Sequence, residues 1–488
     1  MAIARNQTWI LASHVLVYAR GLILLPVLIK TLGPGVYGSL ILLLATAEVI
    51  YGISSLGLDY RFCREMPSTT GRTAKRALFY GQFWPHALLV LVAITLILAA
   101  SSTGFSILPE VDAGWLIALL LVANFCYDKL TDYLGYTDRQ GWLAVALTAA
   151  PYLNIAIVLV SLLLTQVTLS HLVWISAAVQ IATALPILVL LLTEIGVTVR
   201  LPAISELSGN VRLGFPLVCA YMVDFILGTS DRFVIAHFMG PEAVGYYSPA
   251  YALGSLIILV PKALGIVLPP ALSREFDAGN LEQVDKVVNA ALQAYLTIAI
   301  PFILCAIVVG KDVLTLFTNE SIGATGGKLI PVVAFGTLFF GLNLILANVL
   351  FVYRRTGLMF RLTLGAAVLN LVLNVVLIDR ARDIGIAAAT TLISYAVVFA
   401  VLSIAIRPYL KLRLNWGHIL RVFLASAATA IALAGLLQIL DGAAGLIAAC
   451  VLAGATYVGC VVRFGIYEPH ELLGLIYTRA DGDGKRGE

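Results

Sequence analysis

Charged residues are scarce in this sequence: Asp, Glu, Lys and Arg make up only 12% of its 488 residues, and 60% are hydrophobic. Soluble globular domains carry roughly 25% charged residues, because their surfaces face water. A chain of this length with so few charges cannot cover the surfaces of several soluble domains. The composition therefore predicts a polytopic membrane protein. The sequence also contains no recognisable nucleic-acid-binding element.

Sequence motifs for covalent chemistry are also missing. There is no Walker P-loop and no HExxH zinc motif, which excludes the ATPase and metalloprotease sites built on them. None of the six cysteines forms a CxxC pair, so neither a disulfide framework nor a cysteine metal site is expected. We therefore predict no catalytic residue, no metal and no cofactor, and we expect that the protein is not an enzyme.

Long apolar runs separated by short polar breaks dominate what is present. A helix crosses a bilayer with about 20 apolar residues, and only helices or closed barrels satisfy their backbone groups in lipid. Runs of this length favour helices over the short alternating strands of barrels. Fourteen spans are predicted, near residues 8–29, 37–58, 78–100, 114–134, 142–164, 169–193, 213–236, 244–269, 289–310, 328–352, 359–378, 385–406, 417–440 and 443–463.

Basic residues indicate the orientation of these spans, because Lys and Arg accumulate in cytoplasmic loops. With the N-terminus inside, 22 of the 31 Lys and Arg residues fall on the inner side or at the inner ends of spans, five on the outer side or at the outer ends, and four deep within spans. Shifting the number of spans by one removes this bias. We therefore expect a multi-pass protein of the inner (plasma) membrane with both termini in the cytoplasm.

Two halves of the chain carry similar motifs. Gly33-Pro34-Gly35-Val36-Tyr37-Gly38 follows the first predicted span, and Gly240-Pro241-Glu242-Ala243-Val244-Gly245 follows the seventh. An even number of spans per copy gives both copies the same topology, which predicts two pseudo-symmetric six-helix lobes related by an axis along the membrane normal. The expected domains are lobes at 1–200 and 201–410, two additional transmembrane helices at 411–465, and a cytoplasmic tail at 466–488.

Further residues extend these motifs to most of the chain. In the first half they are Leu25-Pro26, Leu32-Gly33-Pro34 and Tyr37-Gly38. In the second half they are Gly214-Phe215-Pro216-Leu217, Asp231-Arg232, Val244-Gly245-Tyr246-Tyr247 and Tyr251. With these residues the chain resembles the multidrug/oligosaccharidyl-lipid/polysaccharide exporter superfamily, and within it the polysaccharide-transporter branch of oligosaccharide flippases.

The resemblance implies two six-helix lobes around a central cavity that opens alternately to each side of the membrane. It also implies a function, the translocation of polyprenyl-diphosphate-linked oligosaccharide repeat units for exopolysaccharide, capsule or O-antigen (lipopolysaccharide) biosynthesis. The implied partners are this lipid-linked oligosaccharide and membrane lipids, with a polysaccharide polymerase and a chain-length regulator as further candidates.

Cations inside spans are the first candidates for substrate binding. A diphosphate cannot cross hydrocarbon bare, and an Arg guanidinium binds phosphate oxygens bidentately while it stays charged. Arg20 lies in the middle of the first predicted span, Arg232 in the seventh and Lys262 in the eighth. In the alternative interpretation, Arg232 pairs with Asp231, and Lys262 extends to the membrane interface.

Acids inside spans are candidates for coupling transport to an ion gradient, because a buried carboxylate can take up and release a proton. Asp224 and Asp231 are seven residues apart, which places them on one helix face. Asp224 is the first candidate for the carrier, and Glu48 is the reserve candidate in the first half. The alternative is a structural ion pair, which we favour for the cluster Asp128-Lys129-Asp132 in the fourth span.

Two amides complete the candidate set. Asn154 and Asn370 each lie thirteen residues after a motif glycine, Gly141 or Gly357. Their side chains could hydrogen-bond sugar hydroxyls, so both are candidate substrate-binding residues. Such residues inside apolar helices more often tie neighbouring helices together.

Two other functions stay open. A cation-coupled multidrug exporter of the same fold would have a cavity dominated by acids, and the embedded Arg20 and Arg232 argue against it. A membrane-embedded glycan polymerase or ligase would carry a large outer loop, and the longest outer stretch is only near 311–327. The inner loops are short as well, the longest lying near 59–77 and 271–287.

Overall fold

The computed structural model describes residues 2–103, 113–137, 139–199 and 201–466, and all regular secondary structure in these ranges is helical. The helices are α1 (Ala2–Ser54), α2 (Asp59–Glu65), α3 (Arg72–Ser102), α4 (Ala113–Gly135), α5 (Gln140–Leu164), α6 (Leu169–Glu194), α7 (Ile204–Met239), α8 (Pro241–Gly254), α9 (Leu259–Asp277), α10 (Leu281–Phe317), α11 (Glu320–Gly326), α12 (Leu329–Val352), α13 (Thr356–Ala381), α14 (Ile384–Ala405), α15 (Trp416–Leu436) and α16 (Gly442–Arg463).

Thirteen helical segments within these described ranges are long and apolar enough to cross a membrane. The first of them, Ile23–Ser54, belongs to α1, which Gly33 divides into two helices. Counting the part of α1 before Gly33 separately gives the fourteen spans expected from the sequence. The prediction of an all-α polytopic membrane protein is therefore confirmed.

The two Gly-Pro motifs share one backbone conformation. Gly33 has φ 79° and ψ 171°, and Gly240 has φ 88° and ψ 168°. A positive φ costs glycine little and other residues more, so glycine suits both positions. Pro34 and Pro241 then begin the next helix, where a missing N–H leaves no helical hydrogen bond unmade. The same local sequence thus ends one span and starts the next at both places.

These two motifs also contact each other. A Cβ added at Gly38 would overlap the carbonyl oxygen of Pro241, and one added at Gly245 would overlap that of Pro34. Gly38 and Gly245 hold equivalent positions in their motifs, as do the two prolines, so the contact is reciprocal. This places the motifs side by side, as expected for two copies with the same topology.

The chain forms two compact units. Unit 1 comprises Met1–Ser248 and Ala367–Ala387, and unit 2 comprises Pro249–Ala366 and Ala388–Glu488. In unit 1, α4 packs against α3 and α6, α5 packs against α1, and α7 packs against α1 and α2. In unit 2, α10 packs against α12 and α15, and α16 joins α15 and α10.

These units follow packing, whereas the lobes expected at 1–200 and 201–410 follow internal symmetry. The helix α7 begins the expected second lobe but packs within unit 1. The lobe boundaries and the separate pair of C-terminal helices therefore stay predictions.

Candidate functional site

A cavity of about 730 Å³ lies within unit 1 and is lined by α1, α2, α4, α7 and the turn between α1 and α2. Most of the lining comes from charged, aromatic and small side chains rather than from aliphatic ones. The polar lining residues are Arg20, Glu48, Tyr51, Ser55, Asp59, Tyr60, Cys63, Asn124, Asp128 and Tyr221. The cavity therefore combines one cation with several acids and hydroxyl groups.

Helical periodicity places these residues on the cavity. Leu44, Glu48 and Gly52 are spaced i, i+4 and i+8 along α1, so they share one face of that helix. Asn124 and Asp128 are spaced i, i+4 along α4 in the same way. Each of these helices therefore presents polar side chains to the cavity from one of its faces.

Glycines bring α7 close to α1 at the cavity wall. A Cβ on Gly52 would overlap the ring of Tyr221, and a Cβ on Gly57 or Gly214 would overlap the backbone of the other residue. The Tyr221 hydroxyl consequently lies 3.4 Å from the carbonyl oxygen of Glu48 and 3.5 Å from its carboxylate Oε1. The glycines thus set the position of an aromatic side chain beside an acid.

Arg20 is the cation of this cavity. Its half-buried side chain also lines a second cavity of about 240 Å³ in unit 1, together with Tyr127, Asn154, Ser176 and residues of α5 and α6. With the side chains that the structure describes, its guanidinium forms no ion pair and no hydrogen bond. Arg20 thus lines two cavities of unit 1, whereas its role in substrate binding stays a prediction.

Asn154 shares the smaller cavity with Arg20. Its amide Nδ2 donates a hydrogen bond to Ser176 Oγ at 3.1 Å, which ties α5 to α6. Asn370, in contrast, is 1% exposed and its Oδ1 accepts a hydrogen bond from Asn374 Nδ2 at 3.1 Å. Of the two candidate amides, only Asn154 lines one of the two cavities described here.

The charged pair in α7 is turned inward. Asp231 is 3% exposed and accepts hydrogen bonds from the Tyr247 hydroxyl and from the backbone N–H of Arg232. The Arg232 guanidinium donates to the Gly228 carbonyl at 2.7 Å and lies 3.4 Å from Asp231 Oδ1. Neither residue lines the larger cavity. The local Asp231–Arg232 pairing that the sequence left open is thus observed.

The other candidates differ in exposure. Asp224 is exposed although it lies two helical turns from the buried Asp231, so their common helix face does not give them a common environment. Lys262 is an exposed residue of α9 in unit 2. Among the three candidate coupling acids, Glu48 is the one that lines the same cavity as Arg20.

Several residues of the cavity were not selected from the sequence. Asp128 lines the cavity, whereas the neighbouring Lys129 is fully buried and pairs with Asp59 of α2. Lys129 Nζ also lies 3.4 Å from Gln82 Oε1 of α3. Within the cluster Asp128-Lys129-Asp132, Lys129 therefore forms its ion pair with Asp59, a residue seventy positions away in the sequence. Adjacent helical residues do not face each other, which is the signal that could have separated Asp128 from Lys129.

Sequence families match two overlapping parts of the chain. The family described as Polysaccharide biosynthesis protein matches residues 3–276, which is more than half of the sequence. The MatE family matches residues 216–376.

Two curated relatives from Haloferax volcanii match shorter segments. The probable flippase AglR is 29% identical over 166 residues, which cover 33% of this chain and 34% of that protein. The probable low-salt glycan biosynthesis flippase Agl15 is 22% identical over 206 residues, which cover 42% of this chain and 43% of that protein. The matches thus span less than half the length of either relative.

One solved structure is similar over nearly the whole chain. The lipid II flippase MurJ, in an inward closed conformation, aligns with 95% of this chain and 99% of its own, with a TM-score of 0.72 and 13% identity. At this identity the similarity shows the fold alone.

Proposed function

The chain belongs to the family of polysaccharide biosynthesis proteins, and from this premise we propose that it is a flippase for polyprenyl-diphosphate-linked oligosaccharides. It carries repeat units of an exopolysaccharide, capsule or O-antigen from the inner to the outer leaflet of the inner membrane by alternating access. Both of its termini lie in the cytoplasm. A polymerase and a chain-length regulator act on the product on the far side.

The observation that carries this proposal is the environment of Arg20. Its guanidinium lines a cavity of about 730 Å³ and, within the described part of the chain, has neither a carboxylate partner nor a hydrogen bond. An embedded arginine without a counter-charge costs several kcal/mol. An anionic ligand that enters the cavity removes this cost, and a diphosphate matches the planar fork of the guanidinium.

The volume and lining of the cavity suit the polar end of such a lipid. Binding pockets for small molecules enclose about 300–1,000 Å³, so this cavity holds a diphosphate and the first sugars rather than a whole repeat unit. Tyr51, Tyr221 and Asn124 offer groups that hydrogen-bond sugar hydroxyls. The polyprenyl chain stays in the surrounding lipid, because it is apolar and does not need a polar cavity.

Energy for net outward movement comes in this proposal from an ion gradient or from removal of the product. One charge that moves through 100 mV supplies about 2.3 kcal/mol, which biases a two-state equilibrium by tens-fold. We place the coupling group at Glu48, because this acid shares the cavity with Arg20. Asp224 and Asp231 are the alternative coupling residues.

A second candidate function, cation-coupled multidrug export, is favoured by the charge of the cavity. Glu48 and Asp128 are acids on the lining, Arg20 is the cation that lines the cavity with them, and Asp59 is already paired with Lys129. The match of residues 216–376 to the MatE family points the same way. The larger match to polysaccharide biosynthesis proteins ranks the flippase first.

Lipid profiling of a strain that lacks the gene tests the proposal. We expect polyprenyl-diphosphate-linked repeat units to accumulate and the cognate polysaccharide to disappear, both reversed by the wild-type gene. The matched measurement is susceptibility to cationic drugs in the same strain. Normal polysaccharide together with increased drug susceptibility would replace the flippase by the multidrug exporter.

A further inference from the structure

A second large cavity, of about 740 Å³, lies within unit 2. It is formed by the first three turns of α10, by Tyr353 at the end of α12 and by the segment 407–413 between α14 and α15. Four cations line it: Lys286, Arg407, Lys411 and Arg413. The proposed transport reaction uses none of these residues.

Side chains of α10 hold the backbone of the segment in place. Asn289 donates from Nδ2 to the Lys411 carbonyl at 3.0 Å and accepts the Arg413 N–H on Oδ1 at 2.8 Å. Asp285 Oδ1 accepts the Lys411 N–H at 3.2 Å. A segment fixed at two successive sites presents its cations in a defined arrangement, which lowers the ordering cost of binding a ligand.

The two acids of this cavity are already engaged. Glu282 Oε1 lies 3.0 Å from Lys286 Nζ, and Asp285 binds the backbone of the segment. Within the part of the chain that the structure describes, the side chains of Arg407, Lys411 and Arg413 form no ion pair and no hydrogen bond. The lining therefore carries four cations against two acids, which leaves the cavity with an excess of positive charge.

The position of the cavity along the helices is that of a membrane interface. Polar residues of α10 line the cavity up to Gln293, and the rest of the helix is long and apolar enough to span a bilayer. The span of α14 ends at Ala405, and α15 begins at Trp416, which is 74% exposed. Exposed tryptophans concentrate at the level of lipid headgroups.

Aromatic rings complete the wall. The Tyr353 and Tyr409 rings have their centroids 4.9 Å apart, and the Arg355 guanidinium lies 5.9 Å from the Tyr409 centroid. Such amphipathic rings suit a site with apolar lipid on one side and water on the other.

We propose that this cavity binds a phosphate group that keeps its negative charge, with Arg407, Lys411 and Arg413 as its ligands. Its position at the interface makes the headgroup of an anionic phospholipid the expected source, and a free phosphate ester is the other source. The site does not depend on the proposed transport function, because it involves no residue of the unit 1 cavity.

The test uses the full-length protein purified in detergent. Native mass spectrometry counts the phosphatidylglycerol molecules retained, with phosphatidylcholine as the neutral reference, and equilibrium binding of glycerol phosphate measures the soluble source. The variant carries Arg407→Gln, Lys411→Gln and Arg413→Gln. Lys and Arg residues near an anionic lipid surface each contribute enough that losing three lowers affinity on the order of a hundredfold.

The matched control variant carries Arg64→Gln, Arg212→Gln and Arg274→Gln, which removes three exposed basic residues predicted to face the cytoplasm. We expect it to retain phosphatidylglycerol as the wild type does. Saturable binding of glycerol phosphate that the first variant alone loses would assign the site to a soluble ester. The proposal would be overturned if both variants retained phosphatidylglycerol equally and no saturable binding of glycerol phosphate were found. It would also be overturned if both variants lost phosphatidylglycerol to the same extent.

Discussion

The cavities of unit 1 and unit 2 enclose nearly the same volume, about 730 and 740 Å³, but their charges are arranged differently. In unit 1, the single arginine Arg20 shares the lining with the acids Glu48 and Asp128. In unit 2, cations such as Arg407 and Arg413 prevail, and both acids are engaged. Volume therefore does not distinguish the two sites. What distinguishes them is which charges are left to meet a ligand.

The walls of the cavities are also built differently. In unit 1, a buried ion pair and glycine contacts between helix backbones hold the wall. In unit 2, side chains of α10 bind the backbone of an exposed segment. Substitutions of Lys129 or of the glycines in the unit 1 wall should therefore disturb the fold, whereas the cations of unit 2 can be removed with little structural cost.

The largest effect is expected for Lys129. Its side chain is 0% exposed and pairs with Asp59, which is 27% exposed. Removing one partner of a buried ion pair costs about 3–5 kcal/mol, because the other charge is left without compensation. The partial exposure of Asp59 places Lys129→Ala at the lower end of this range. Thermal unfolding in detergent and the level of protein in membranes measure the loss.

The control for this change is Lys311→Ala in unit 2. Lys311 pairs with Glu320 at 3.2 Å, and both side chains are more than half exposed. Exposed pairs contribute about 0–1 kcal/mol, so the control should unfold close to the wild-type temperature. Equal unfolding temperatures for the two variants would show that the Lys129–Asp59 pair does not brace unit 1.

Arg20 should give the next largest effect, in function rather than in stability. Arg20→Ala removes the cation of the unit 1 cavity, and we expect polysaccharide export to stop at a normal protein level. Arg20→Lys should restore only part of it, because the ammonium lacks the bidentate fork. Polysaccharide yield per amount of membrane protein is the measurement.

Arg232→Ala is the matched comparison for Arg20. The Arg232 guanidinium is bound within α7 by Gly228 and Asp231. Its removal should therefore lower the unfolding temperature, while export per amount of protein should fall less than in Arg20→Ala. Normal export by the Arg20→Ala variant would show that this cavity does not bind the diphosphate through Arg20.

A smaller effect is expected from the glycine contact between α7 and the turn that follows α1. A Cβ at Gly214 would overlap the backbone of Gly57, whereas one at Gly209 on the same helix meets nothing within 4 Å. Overfilling a packed contact costs about 1–3 kcal/mol. Gly214→Ala should therefore lower both unfolding temperature and export, and Gly209→Ala should leave them unchanged. The idea of a glycine-built wall fails if both alanine variants behave alike.

The response of transport to an ion gradient should distinguish Glu48 from Asp224, and neither substitution should change the fold. In proteoliposomes with an imposed pH or sodium gradient, Glu48→Gln should bind substrate but lose the response to the gradient, since Glu48 lines the cavity. Asp224→Asn should keep the response. The opposite result would return the coupling role to α7, and wild-type transport that ignores both gradients would exclude coupling through either acid.

Features that depend on local sequence were predictable here. Composition and length gave the membrane spans, and the Gly33 and Gly240 motifs gave two matching helix breaks because glycine and proline restrict the backbone locally. The resemblance to the flippase branch of the exporter superfamily is confirmed by the family and relatives matched. The choice of Arg20 as a candidate binding residue followed from its position in the middle of an apolar span.

Features that depend on distant pairing were not predictable. The segment 59–77 was expected as a loop, but it contains α2, whose seven residues carry no clear helical period. Asp59 and Lys129 are seventy residues apart, so their pairing requires the fold to be known first. The different exposure of Asp224 and Asp231 also depends on the fold. Their spacing places them on one helix face, but it does not determine which other helix covers each of them.

The smallest effect concerns the reactivity of Cys63, which lines the unit 1 cavity from α2. Burial raises the pKa of the Cys63 thiol, and only the thiolate reacts with maleimides. The labelling rate of a variant that keeps only this cysteine should therefore still rise about tenfold per pH unit near pH 8.5, where an ordinary thiol levels off. In the same background without Cys63, Ser68→Cys supplies an exposed thiol nearby as the control, and its rate should level off there. Lipid-linked oligosaccharide should then slow labelling at Cys63 but not at position 68, because only Cys63 shares the cavity with Arg20. Equal protection at both positions would mean that the ligand does not enter this cavity.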